Sequence, residues 1–176
     1  MEENPRFDPD RSWAPLDRRI AEERDPRLLR ALEQVRDHMR TEIGGDLIGL
    51  MATLVDEPAY HLWGLPEEAG PKGRDAVEEF YTQMMAGGGH RFEFAIRRIV
   101  VDAEAVVTEG QMRQRVPGAA LAASDIERVD GEPLDPEADY LSETQILTVW
   151  PIADDGRIIG EDIYFGSPPL ARLSRL

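Results

Sequence analysis

At Gly87-Gly88-Gly89 the apolar residues of this chain change their period, and that change constrains the fold more than any other feature. Before the glycines they recur every three or four residues, as on one face of a helix; after them they alternate, as on one face of a strand. Helices followed by a run of strands predict an α+β fold, helices laid on an antiparallel sheet, rather than alternating βαβ units. A length of 176 residues suits a single domain.

The first helix is predicted from Pro26, where Leu28, Leu32, Val35, Met39 and Ile43 share a face, Asp25 is placed to cap and Gly44-Gly45 to stop it. Asp46 caps a short apolar helix over Leu47–Leu54, Ala59–Trp63 reads as a strand ended by Gly64 and Pro66, and Gly73-Arg74-Asp75 opens a third helix carrying Val77, Phe80, Tyr81 and Met84. Phe92–Val101, Ala105–Val116, Thr144–Ile152 and Arg157–Phe165 read as strands, with tight turns at Asp102–Glu104 and Asp154-Asp155-Gly156. The expected division is an arm over 1–25, a domain over 26–168 and a tail over 169–176. The arm, with Phe7, Trp13, Leu16 and Ile20 as its apolar residues, packs on the domain or on a neighbouring subunit. The acidic, turn-rich segment Gly118–Leu141 is longer than a connection needs and reads as a lid or binding loop.

Composition narrows the function. The 20 Lys and Arg against 35 Asp and Glu leave a formal charge of −15, the wrong sign for tracking phosphates, so no nucleic-acid partner is expected. No apolar run reaches membrane-spanning length, and the first ten residues lack a basic-then-apolar signal pattern, so a soluble cytoplasmic protein is expected. Zero cysteines and three histidines speak against a metal centre, and Gly87-Gly88-Gly89 ends a helix where a phosphate site needs one to begin. No cofactor is expected.

Four segments together resemble a known family: Gly45-Asp46-Leu47 with Leu50–Leu54 and Asp56; Tyr60-His61-Leu62-Trp63-Gly64; Gly73-Arg74-Asp75-Ala76-Val77-Glu78-Glu79-Phe80-Tyr81; and Gly156-Arg157-Ile158-Ile159 with Tyr164-Phe165-Gly166. Their order and spacing, from about Leu28 to Gly166, resemble the SnoaL-like and ketosteroid-isomerase-like branch of the nuclear-transport-factor-2-like superfamily. The resemblance implies a cystatin-like cone, three N-terminal helices packed in the concave face of a curved antiparallel sheet around an apolar pocket. It implies no one activity, since such cones include isomerases, dehydratases, epoxide hydrolases, cyclases and non-catalytic modules. The positions of the isomerase's two acidic groups fall on Leu62 and Thr148, so that enzyme's own mechanism is not expected.

Strand alternation selects the inward side chains. Val106, Thr108, Gly110, Met112, Gln114 and Val116 face in from one strand; Thr144, Ile146, Thr148, Trp150 and Ile152 from the next; Ile159, Glu161, Ile163 and Phe165 from the last. Glu161 is then a lone carboxylate on an apolar stripe and the first candidate for acid/base work; in the opposite register Asp162 and Tyr164 would face in instead. His38, near the end of the first helix, is placed to donate a hydrogen bond or shuttle a proton, or to bond a backbone carbonyl as a boundary residue. His61 reaches the pocket only if its short strand shifts by one residue. Asp46 is accounted for by capping. Tyr60, Leu62, Tyr81, Met84, Phe94, Met112, Gln114, Thr148 and Trp150 are the expected ligand-binding wall, aromatics and methionines being equally at home in a plain core.

Two functions follow. One is a cofactor-independent isomerase, dehydratase or cyclase that moves protons on a small hydrophobic oxygenated molecule through Glu161 with His38 or His61; the other is a non-catalytic binding or dimerisation module. A homodimer is expected through a sheet face bearing Val107, Arg113, Arg115 and Trp63.

Overall fold

The computed structural model describes residues 7–64 and 69–176; the first six residues of the expected arm and Pro66, expected to help end a strand, lie outside them. Helix α2 (Pro26–Gly44) forms where periodicity and caps agree. Asp25 accepts from the backbone N–H of Arg27 and Leu28, Pro26 opens the first turn, and Gly45 at φ 74° ends it. Its buried stripe is Ala31, Leu32, Val35, His38, Met39, Glu42 and Ile43. Asp46 caps α3 (Leu47–Ala52) by accepting from the Gly49 N–H, as its position predicted. α4 (Arg74–Ala86) follows, and a further helix, α1 (Ala14–Glu22), precedes them all.

The arm packs on its own domain: Leu16 is fully buried, and the Ser12 hydroxyl donates to the Pro9 carbonyl while accepting from the Phe94 N–H. Glu93, buried on the sheet, accepts from the Asp8 N–H and pairs with Arg11 and Arg113.

Strands β1 (His61–Trp63), β2 (Phe92–Val101), β3 (Ala105–Pro117), β6 (Asp139–Pro151), β7 (Asp162–Phe165) and β8 (Leu173–Arg175) form one curved sheet in the order β1-β7-β6-β3-β2, with β8 also on β6. All pairs are antiparallel except β1 with β7. The β3–β6 register sets Val106 against Trp150, Thr108 against Thr148 and Gly110 against Ile146; β7 adds Ile163 beside Thr148 and Phe165 beside Ile146. The helices cover that face, and α2, α3, α4 and the sheet share one core. The fold is thus the expected α+β cone.

Two expectations are corrected. The last strand does not begin at Arg157: residues 158–161 spend their backbone groups on the segment 53–61, through Ile158 N–H to Thr53 C=O, Val55 N–H to Ile158 C=O, Ala59 N–H to Ile159 C=O and His61 N–H to Glu161 C=O. Simple alternation therefore fails there, and Ile159 turns outward at 39% exposure while Glu161 goes in. The segment 118–141 is not an irregular loop. It folds as α5 (Gly118–Ala122) and a hairpin of β4 (Arg128–Val129) with β5 (Glu132–Pro133), whose Leu121, Val129 and Tyr140 form a second small core beside β8.

Among the described residues no helix is long and apolar enough to cross a membrane.

The close passage of 158–161 against 53–61 depends on Gly160, where an added Cβ would lie 1.8 Å from the Ala59 carbonyl oxygen. Gly160→Ala is expected to cost about 3 kcal/mol, because only backbone can yield to it. Chemical denaturation checks this; a midpoint unchanged from the parent would show that the two segments do not pass so closely.

Candidate active site

Between α2, α4 and the sheet lies a cavity of about 240 Å³, the liquid volume of roughly eight waters. Its wall is largely apolar because four elements turn the same kind of side chain toward it: Phe80 and Met84 from α4, Phe92 and Phe94 from β2, Met112 from β3 and Ile146 from β6. Leu62, Ile163 and Phe165 close it on the β1–β7 side. Gln114 lies against it, its side-chain amide donating to the Gly89 carbonyl. Trp150 and Thr148 complete the wall, with the Trp150 indole N–H donating to Thr108. All nine wall residues named from sequence, Tyr60, Leu62, Tyr81, Met84, Phe94, Met112, Gln114, Thr148 and Trp150, line this one cavity.

The polar groups gather in one part of the lining. Tyr81 Oη donates to Glu161 Oε1 at 2.9 Å and lies 3.1 Å from Tyr60 Oη. His38 Nε2 is 3.2 Å from Tyr81 Oη and 3.3 Å from Glu161 Oε1. Its other nitrogen, Nδ1, is 2.6 Å from Thr53 Oγ1. The Thr53 hydroxyl gives its only proton to the Leu50 carbonyl, so toward His38 it can only accept. That fixes a proton on Nδ1 and turns Nε2 toward Glu161. Nε2 and the Glu161 carboxyl thus face each other at 3.3 Å, placed for a proton to pass between them.

Glu161, Tyr60 and Tyr81 are buried. Burial, and next the charge of Glu161, push both phenols above their usual range, so each keeps its proton and remains a donor. His38 is fully buried and sits behind the cavity lining, which it reaches through Glu161 and Tyr81.

His61 is the correction. It follows Tyr60 on the opposite side of the strand, stacks on Trp63 with centroids 5.4 Å apart, and lies 3.0 Å from Lys72 Nζ, outside the cavity. The register shift it needed does not occur, because β1 is held to β7 with His61 opposite Asp162 and Leu62 opposite Ile163. Asp162 accordingly stays out of the lining, and Glu161 is the inward carboxylate.

One residue of the site escaped the sequence reading. Glu42 lies 8% exposed against the cavity, one helical turn beyond His38. Its signal was present: position 42 continues the stripe Val35–Met39 at the next turn. Among the described residues no group hydrogen-bonds or ion-pairs with its carboxyl. Burial first, and the nearby Glu161 second, raise its proton affinity well above the usual 4.5. His38 Nε2 and carboxylate oxygens of Glu42 and Glu161 lie within 4.8 Å of one another, close enough to hold a metal ion between them.

Comparison with known proteins places this geometry. No curated protein sequence matches the chain. Among solved structures, a SnoaL-like polyketide cyclase from Jannaschia sp. CCS1, named as putative, is 16% identical with a TM-score of 0.58, over 82% of this chain and 90% of that one. An epoxide hydrolase of the LEH-like type from Mycobacterium tuberculosis is 20% identical with a TM-score of 0.55, over 80% and 85%. Rv0760c from the same organism, in complex with estradiol-17β-hemisuccinate, is 16% identical with a TM-score of 0.56, over 82% and 98%. At such identities the likeness is one of fold. The sequence profile of the SnoaL-like domain matches residues 35–160, most of the chain, and the protein belongs to that family.

Proposed function

We propose that this SnoaL-like protein binds a small, mostly apolar, oxygenated molecule in the cavity and moves a proton on it without a cofactor, as an isomerase, dehydratase or cyclase would. The observation that carries this reading is Glu161, a buried carboxylate in a mostly apolar and aromatic cavity wall, oriented by Tyr81 and backed by His38. Its contacts with His38 and Tyr81 give the carboxyl partners for passing a proton on, as acid/base work requires. Thr53 acts through His38 as a positioning residue, and the Tyr60 hydroxyl, which abuts that of Tyr81, keeps its own proton as a donor for a ligand oxygen. A fold neighbour holding an estradiol derivative supports a small hydrophobic ligand.

We also propose that the protein is a homodimer. Trp63 and Tyr164 stack 6.1 Å apart at the β1–β7 edge with 38% and 45% of their surfaces exposed, an aromatic patch that a second copy would cover.

Two outcomes are expected. In a thermal-shift screen of small steroids, terpenoids and polyketides, a binder raises the melting temperature; turnover of that binder should fall about 10²- to 10⁴-fold in Glu161→Gln. Unchanged turnover removes Glu161 from the chemistry, and binding without turnover in the parent leaves a ligand-binding module. Light scattering should give about twice the 19.8 kDa chain mass, and the monomer mass rules the dimer out.

A further inference from the structure

The acid/base reading uses Glu161, His38 and the two tyrosines and leaves Glu42 without a task. We propose that Glu42 stands in the cavity as a neutral carboxylic acid and gives its proton to an oxygen of the bound molecule, so that the site acts on the C–O bonds of uncharged alcohols or cyclic ethers. This rests on the acid/base function proposed above and names its substrate class.

The geometry makes the proton necessary. Glu42 is more than nine-tenths buried, lines the cavity, and has no donor or cation against its carboxyl among the described residues. Among the described residues no Lys or Arg lines the cavity. As a carboxylate it would be an uncompensated buried charge close to a second one on Glu161, a doubly costly arrangement. His38, the one basic side chain within reach, is engaged by Glu161 and Thr53. The remaining groups around it, Tyr60 and Tyr81, are phenols that keep their own protons. A proton on Glu42 removes the conflict and, with no hydrogen-bond acceptor against it among the described residues, is free for whatever occupies the cavity.

A separate acid also selects among reactions. A single base can carry a proton from one carbon to another. Two carboxyl groups in opposite protonation states suit a step in which one atom loses a proton as another gains one. In an elimination, Glu161 takes the proton from a carbon and the C–H electron pair becomes the C=C bond. The C–O pair leaves on oxygen, which takes the Glu42 proton and departs as water. Glu42 is left ionised and Glu161 protonated; transfer of that proton between the neighbouring carboxyls restores the starting state. The net change is alcohol to alkene and water. Opening of a cyclic ether balances in the same way: Glu161 takes a proton from the carbon next to the C–O carbon, that C–H pair becomes the C=C bond, and the ring oxygen takes the Glu42 proton to become the hydroxyl of an unsaturated alcohol.

Infrared difference spectroscopy decides the matter without turnover. The parent at neutral pH should show the carbonyl stretch of a buried protonated carboxylic acid, absent in Glu42→Gln and, should that variant not fold, in Glu42→Leu. Acetophenone, a neutral acceptor, should move the band to lower frequency. Its affinity should fall about tenfold as pH rises and the Glu42 proton is lost, and should stay level in Glu42→Gln, whose amide donates at every pH. Stability carries the same sign. The folded chain holds this proton above about 4.5 where the unfolded chain has lost it, so the parent loses stability with rising pH relative to Glu42→Gln. Absence of the band overturns the proposal, as does preference for benzylamine over acetophenone, or stoichiometric zinc or manganese in the purified protein that Glu42→Gln lacks. Loss of the acid/base function with the band intact would count against the function proposed above and not against the protonated acid.

Discussion

Glu161 can be buried only because three separate stretches of chain bring it partners, and much of the architecture around the cavity serves that meeting. α4 supplies Tyr81, α2 supplies His38, and the turn after α3 supplies Thr53, which orients His38 in turn. Each contact links elements far apart in sequence, so the carboxylate is satisfied only once helices and sheet have closed on each other. Without them the buried charge would be strongly destabilising. The network therefore ties the chemistry of the cavity to the completion of the fold.

Period and caps were legible in the sequence because they are local. The stripe and capping residues of α2, the alternation of β3 and β6 and the turn at Asp102 each depend on neighbours a few residues away, and the wall residues from Tyr60 to Trp150 followed from them. Glu161 was found for the same reason, though the strand it was assigned to begins one residue later. What failed was non-local. Ile159 turns outward because its backbone bonds to Ala59 and Pro151 rather than to a continuous ladder, which alternation cannot foresee. The segment 118–141 reads as a loop until β8, from the far end of the chain, supplies the other side of its small core.

Glu42 was missed for a different reason. Its position on the stripe was visible, but a glutamate in a helix reads by default as a solvated residue. Only the cavity shows that the solvated reading is wrong. A charged residue type falling in register with a buried stripe is the sequence signal to have weighed, and it singles out the same helical face as His38, one turn away.

The family resemblance gives this its meaning. In the isomerase branch the two acidic groups occupy positions that fall here on Leu62 and Thr148, and both residues do line the cavity, so the framework is shared while those two positions carry no charge. The carboxyls instead stand on α2 and just before β7, where they meet His38 and the tyrosine pair. Moving the ionisable groups to another part of the same apolar cavity changes which atom of a bound molecule meets an acid and which meets a base. Because wall and framework depend on periodicity while the reactive groups depend on a few single positions, one cone can keep its fold and exchange its chemistry. On the function proposed for this chain, that chemistry turns on which of two neighbouring carboxyl groups holds the proton.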